Sequence, residues 1–213
     1  MVYQLKAEDV RLIKSHFPGL HLDLIRKCIW GTLTIASAYD SSTKLFTPEA
    51  RPEQRGYIEE DYEIRIKFDE ADTFGFPAVY EESGFLINAA KNSNQVLSDW
   101  HINDNGSICL GIFPEYRWES VKDYILDKVI PYFYWVAYRA RYGVEPWRAY
   151  RHGVEGLRDA LRFPEDKINS KVRNLPCPCA SGKKYKNCCL RRDDIILRAL
   201  QSQKKSRVAT NGY

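Results

Sequence analysis

The sequence predicts an α+β domain, an antiparallel sheet flanked by helices, followed by a small cysteine-rich module. Three observations carry this. Apolar periodicities run helix, then strands, then helices, so the two element types are segregated along the chain. Charge is divided: residues 1–163 carry 20 Lys+Arg against 24 Asp+Glu, whereas residues 164–213 carry 12 against 4. Four of the six cysteines, Cys177, Cys179, Cys188 and Cys189, crowd into that basic end. The expected boundaries are a main domain over 1–163, then a linker, cysteine module and basic tail over 164–213.

The elements follow in order. "KAEDVRLIKSHF" sets Val10, Ile13 and Phe17 at helical spacing, and Pro18-Gly19 ends the helix. "IWGTLTIASAY" alternates and is rich in β-branched residues, which predicts a strand. "SSTKLFTPEARPEQRG" reads as a loop. "YIEEDYEIRIKF" alternates Ile64, Ile66 and Phe68 against Arg65 and Lys67, a second strand, and "FPAVYEE" is a short third. "FLINAAKNSNQVLSDW" is ambiguous between helix and strand. "WESVKDYILDKVIPYFYWVAYRARYG" predicts one long helix bent at Pro131. In it Tyr132, Phe133, Trp135, Tyr138 and Tyr142 are expected mostly in the core, with Arg139 and Arg141 as a possible partner surface. "GVEGLRDALRF" is a further helix, "PEDKINSKVRNLP" a linker, and "DDIILRALQSQKK" a short helix after the cysteines.

Bulk properties exclude some classes. The 213 residues are 44% hydrophobic and 13% aromatic, enough for a packed core. The most apolar run, "VIPYFYWVA", is far short of the ~20 residues that a membrane helix needs. "MVYQLKAEDV" has no apolar core of signal-peptide type, so the expected location is the cytoplasm.

The spacing C-x-C-x8-C-C in "CPCASGKKYKNCC" suits a tetrahedral zinc site, because four thiolates close such a site with no position left for substrate. Disulfides are disfavoured. The expected compartment is reducing, and adjacent Cys188 and Cys189 have Cα atoms about 3.8 Å apart, below the usual disulfide range. Lys183, Lys184, Lys186, Arg191 and Arg192 are placed to offset the negative charge, and Ser181-Gly182 supplies the turn. The segment over about 174–192 closely resembles the SEC-C zinc motif of a bacterial preprotein-translocase ATPase. The resemblance implies structural Zn2+ on Cys177, Cys179, Cys188 and Cys189.

Cys109, in "HINDNGSICLGIF", poses a different question. A lone cysteine in an apolar run is ordinarily a buried residue. Here Asn105-Gly106, a strong turn signal, directly precedes it, and His101 lies eight residues upstream, within reach after a chain reversal. A papain-like protease needs its cysteine at a helix N-terminus and a histidine far downstream. "SICLGIF" is strand-like, and the later His152 reads as helix surface. Cys28, after "HLDLIRK", is expected at a helix–strand junction and in the core.

"NGSICLGIF" followed by Trp118 resembles the active-site segment of ubiquitin-conjugating enzymes, in which N-G-x-I-C-L surrounds a thioester-forming cysteine. The element order agrees over about residues 5–145. The family's upstream H-P-N is absent. Aligned without gaps, His101 stands where the family has its Asn; with a two-residue deletion, His101-Ile102-Asn103 takes that place. The resemblance implies Cys109 as nucleophile. It implies His101, or in the second register Asn103, as the group that stabilises the oxyanion or assists the attacking amine.

The implied function is a carrier that takes a protein C-terminus as a Cys109 thioester and passes it to an amine. The thioester donor is a ubiquitin-like protein or a cGAS-like nucleotidyltransferase, with an activating enzyme either acting in trans or not required. Stand-alone bacterial relatives of these enzymes occur in antiphage operons of the CBASS type, which is the implied context. Two other classes stay open. One is a non-catalytic zinc-containing adaptor. The other is a nucleic-acid-binding module led by the basic tail, though such charge runs are more often simply solvated. No membrane partner is expected.

Overall fold

The computed structural model describes residues 3–71, 76–111, 116, 118–147 and 153–210; the side chains at 153–154 and 203–210 lie outside the description. The chain divides into two compact units, Met1–Leu110 with Arg117–Ala149, and Tyr150–Tyr213 with Gly111–Tyr116. The division falls near residue 150, ahead of the expected boundary at 163.

The first unit is mixed α+β. Helix α1 (Ala7–His16) precedes a five-stranded antiparallel sheet: β1 (Leu20–Asp23), β2 (Cys28–Asp40), β3 (Leu45–Thr47), β4 (Tyr57–Ala71) and β5 (Pro77–Glu81). The order is β1-β2-β4-β5, with the short β3 pairing with Ala38–Asp40 on the edge of β2 opposite β4. Strands β1 and β3 were not expected. Both are short, and Leu45–Thr47 sits in a stretch whose prolines and polar residues mask it. Cys28 accordingly opens β2 after a β-turn, not a helix, and is half-buried rather than core.

Period-two alternation places one sheet face in the core. Ile29, Leu33, Ile35, Ile58, Ile64 and Ile66 are essentially inaccessible, while Thr32, Thr34, Glu59, Asp61 and Glu63 face outward. Gly31 is needed within β2. Its φ is +123°, and a Cβ there would stand 2.2 Å from the Gly19 carbonyl oxygen.

The ambiguous stretch resolves into helix α2 (Phe85–Asn92) and a 3₁₀ turn, Leu97–Trp100. The long helix is helical throughout but not uniform: α3 (Val121–Tyr124), a π-helical turn (Ile125–Val129) and α4 (Ile130–Tyr142). Ser120 caps it reciprocally with Asp123. The π turn lies just before Pro131, whose missing N–H breaks the regular ladder; Ile130 N–H donates five residues back, to Ile125. Tyr132, Phe133 and Trp135 are buried as expected, Tyr138 is half-buried and Tyr142 is exposed.

The second unit holds α5 (Gly153–Ala160) and α6 (Leu190–Thr210), with the cysteine segment before α6. The expected linker is not featureless. It contains 3₁₀ turns at Glu165–Lys167 and Val172–Asn174, and Phe163, Ile168 and Val172 pack against the cluster of Cys177, Tyr185, Cys189 and Leu190. Among the described residues, no helix is long and apolar enough to cross a membrane.

Candidate functional site

Cys109 stands on a short β-hairpin. Ile102 and Ile108 bridge antiparallel and are both buried. Cys109 N–H donates to the His101 carbonyl at 2.7 Å, and Asn103 N–H donates to the Ser107 carbonyl at 2.8 Å. The reversal is a β-turn closed by Gly106 N–H on the Asn103 carbonyl, 2.8 Å, with Gly106 at φ +81°. A left-handed residue after such a turn is where glycine is required, so Asn105-Gly106 is the turn its sequence announces. Asn105 Oδ1 accepts from Ser107 N–H and Ser107 Oγ, at 3.1 and 2.7 Å. The hairpin is fixed to the sheet by Ile108 N–H on the Val79 carbonyl, 2.7 Å.

The hairpin brings two of the three expected residues together. The Ile102–Ile108 bridge puts His101 and Cys109 in register across the hairpin, joined by the Cys109 N–H on the His101 carbonyl. Both are half-buried. Asn103 lies one pair further toward the turn, exposed, and its amide Nδ2 donates to Ser107 Oγ at 3.0 Å. Cys109 is on a hairpin, not at a helix N-terminus; His152 is outside the described residues. Trp118 stacks on Tyr3 at 4.1 Å and packs at a tilt against Tyr124 at 4.8 Å, a structural place in the first unit.

His101 adopts a left-handed conformation, φ 57°, ψ 39°, at the end of the 3₁₀ turn. Its ring meets Trp135 edge-to-face at 5.0 Å. Tyr132 Oη donates to the Trp100 carbonyl at 2.8 Å. Burial, and secondarily the neighbouring Cys109, push the Tyr132 phenol well above its usual pKa, so it stays protonated as a donor. Arg139, expected as a partner surface, is instead largely enclosed here. Its guanidinium lies 4.9 Å from the Trp100 and Trp135 ring centroids. Arg141 is exposed and pairs with Glu60 at 2.6 Å.

The second site is the cysteine cluster. The Sγ atoms of Cys177, Cys179, Cys188 and Cys189 all lie within 4.8 Å of one another. Cys179 and Cys188 are 3.4 Å apart, Cys188 and Cys189 3.8 Å. Four thiolates at the zinc–sulfur distance of 2.3 Å from one tetrahedral ion stand about 3.8 Å apart, so the donor set fits a metal ion of that kind. Backbone bonds shape the cradle: Cys177 N–H to the Lys183 carbonyl, 2.8 Å, and Tyr185 N–H to the Leu175 carbonyl, 2.9 Å. Ala180 and Gly182, at φ 61° and 71°, turn the chain around Ser181.

The thiols differ electrostatically. Hydrogen bonding from Ser181, then from Cys177 and Cys188, lowers the Cys179 pKa to about 6. Burial, reinforced by neighbouring thiols, pushes Cys189 up to about 12. Beneath the cluster, the fully buried Asp193 accepts from Tyr185 Oη at 2.7 Å, Arg162 N–H at 3.0 Å and Arg192 at 2.8 Å. Arg192 therefore serves Asp193. Arg162, not anticipated, lies near Cys189 and Asp193; burial opposes its charge, but these two neighbours outweigh it.

Comparison with known proteins bears on this second site. Residues 173–191 match the SEC-C motif. The chain is similar to protein translocase subunit SecA 1 of Rhodopirellula baltica, 59% identical over 40 residues, 19% of this chain and 3% of that protein. SecA of Thermodesulfovibrio yellowstonii is 58% identical over 31 residues, 15% of this chain and 4% of that protein. SecA of Desulforudis audaxviator is 47% identical over 36 residues, 17% and 4%. This chain thus spans only 3–4% of the length of these relatives. No solved structure matches it significantly.

Proposed function

We propose that the protein is a conjugating-enzyme-like carrier. Cys109 takes the C-terminus of a protein as a thioester and passes it to an amine, and the C-terminal cysteines hold a structural zinc ion. The observation that carries the reading is the hairpin: it sets the half-buried Cys109 directly opposite His101, just beyond the Asn105-Gly106 turn. The first unit's order supports it: a helix, an antiparallel sheet, the cysteine segment, then helices. Helix α2 is an addition to that order.

The chemistry balances in two steps. The Cys109 thiolate attacks the carbonyl of a C-terminus carried as a thioester on an activating enzyme, the new S–C bond forms, and the activating enzyme's cysteine leaves as thiolate. An amine nitrogen then attacks the same carbonyl. The C–N bond forms, the C–S bond breaks, Cys109 leaves as thiolate, and the amine's proton passes to a base. In this reading His101, whose carbonyl accepts the Cys109 N–H, is the group that donates to the oxyanion or accepts that proton. The amide of Asn103 is already engaged in holding the turn, which favours the ungapped register and His101. The zinc takes no part in these steps, since all four of its positions are filled by thiolates.

The test is non-reducing gel analysis with mass spectrometry, on protein co-expressed with its operon neighbours. Cys109→Ser should trap a reductant-resistant oxyester, and Cys109→Ala should give no adduct. Cys28→Ser should leave adducts intact; this control matters because Cys28 and Cys109 are both half-buried, so alkylation alone does not separate them. Identical adducts from wild type and Cys109→Ala overturn the proposal in favour of an adaptor.

A further inference from the structure

We infer that Arg139 is a positioning residue for His101, acting through the Leu97–Trp100 turn and the Trp135 ring; the inference rests on the reading of the Cys109–His101 pair. The starting point is the left-handed His101. A non-glycine residue is strained in that region and persists only where its surroundings over-determine it. The surroundings do so on one stripe of α4, Tyr132, Trp135 and Arg139, at i, i+3 and i+7.

Each member of the stripe grips the chain around His101. Tyr132 Oη holds the Trp100 carbonyl. Arg139 Nη1 donates to the Asp99 carbonyl, and Nη2 to Gln95 Oε1 at 2.9 Å. Gln95 Oε1 also accepts from Trp100 Nε1 at 3.0 Å, so one amide oxygen joins Arg139 to the indole. The guanidinium sits equally close to Trp100 and Trp135, and Trp135 presents its ring to His101. Arg139 is only 12% exposed and keeps a longer contact to Glu145 at 3.7 Å.

Trp135 adds a second, independent sign. Its Nε1 is buried and has no hydrogen-bond partner among the described residues. A buried donor left unmade is destabilising, and such groups call for an explanation beyond stability. Here the ring is oriented by what its faces and edge must touch, Arg139 and His101, rather than by its N–H. An arginine suits this place where a lysine does not. Its planar fork donates to two acceptors while lying against two indoles, and an ammonium is a point charge without that geometry.

The experiment uses the full chain carrying Arg139→Lys, with Tyr132→Phe as a second variant. The first readout is NMR of the histidine rings, assigned with His101→Ala. Both variants should shift the His101 ring resonances by changing its place against Trp135, leaving the His21 ring unmoved. The second is single-turnover kinetics. Loading of Cys109 should hold while discharge to an amine slows on the order of 10- to 100-fold, the scale of a small misplacement. In a His101→Ala background Arg139→Lys should slow discharge no further, because the two act as one unit. Unmoved His101 resonances, or an Arg139→Lys effect that persists without His101, overturn the inference. Native-rate discharge by His101→Ala instead removes His101's catalytic role, and the ring resonances alone then decide the positioning.

Discussion

The two cysteine sites are built in opposite ways. In the second unit four thiols converge within 4.8 Å, each drawn from a stretch of thirteen residues and shaped by that stretch's own turns. In the first unit one thiol depends on a distant helix. The hairpin sets Cys109 against His101, but α4, some thirty to forty residues on, holds the turn that ends in His101. A locally written site declares itself by spacing. A site assembled from remote parts declares only its thiol.

The largest expected effect breaks the first half of that comparison. Purified protein should carry one zinc per chain, and Cys177→Ser or chelation should remove it with the local fold, since such sites bind with an apparent 10–16 kcal/mol, roughly. Metal analysis beside circular dichroism checks this; a folded, metal-free module would show that the cradle stands without an ion.

The next tests whether the module is only metal-held. Asp193→Ala leaves Arg192 enclosed without its carboxylate and should destabilise the second unit by about 3–5 kcal/mol, read by denaturant unfolding. No change would mean that the cysteines alone carry the unit.

On the other side, His101→Ala should slow discharge of the Cys109 thioester by about 10²–10³ while leaving loading near its native rate. Single-turnover assays separate the two steps. Equal slowing of both would make His101 a prop for the hairpin.

The smallest effect sharpens the division within the hairpin. Asn103→Ala removes the bond to Ser107 Oγ and should cost about 1 kcal/mol of stability without altering discharge. A discharge defect at constant stability would return the role to Asn103.

Much of the fold was legible. Strand β4, and β2 over Ile29–Ile35, alternate because one face is buried and the other solvated, and period two survives in the residues themselves. The turn at Asn105-Gly106 and the cysteine cradle were legible for a similar reason: a positive φ and a tetrahedral ligand set each demand particular residues at particular spacings. Strands β1 and β3 were not, because three or four residues carry too little periodicity. The segment 164–176 reads as a linker in sequence since its apolar residues are widely spaced and gain meaning only against Tyr185 and the cysteines.

By itself, then, the sequence determined the class of fold, the four candidate ligands and the thiol to watch. Tertiary structure alone decided that Arg139 packs against two indoles instead of lying on a surface, that Asp193 is buried beneath the cluster, and that His101 adopts a left-handed conformation with its ring on Trp135. The physical reason is that a charge or a strained backbone is tolerated inside a protein only by partners distant in sequence, and no local pattern records which distant groups will meet it.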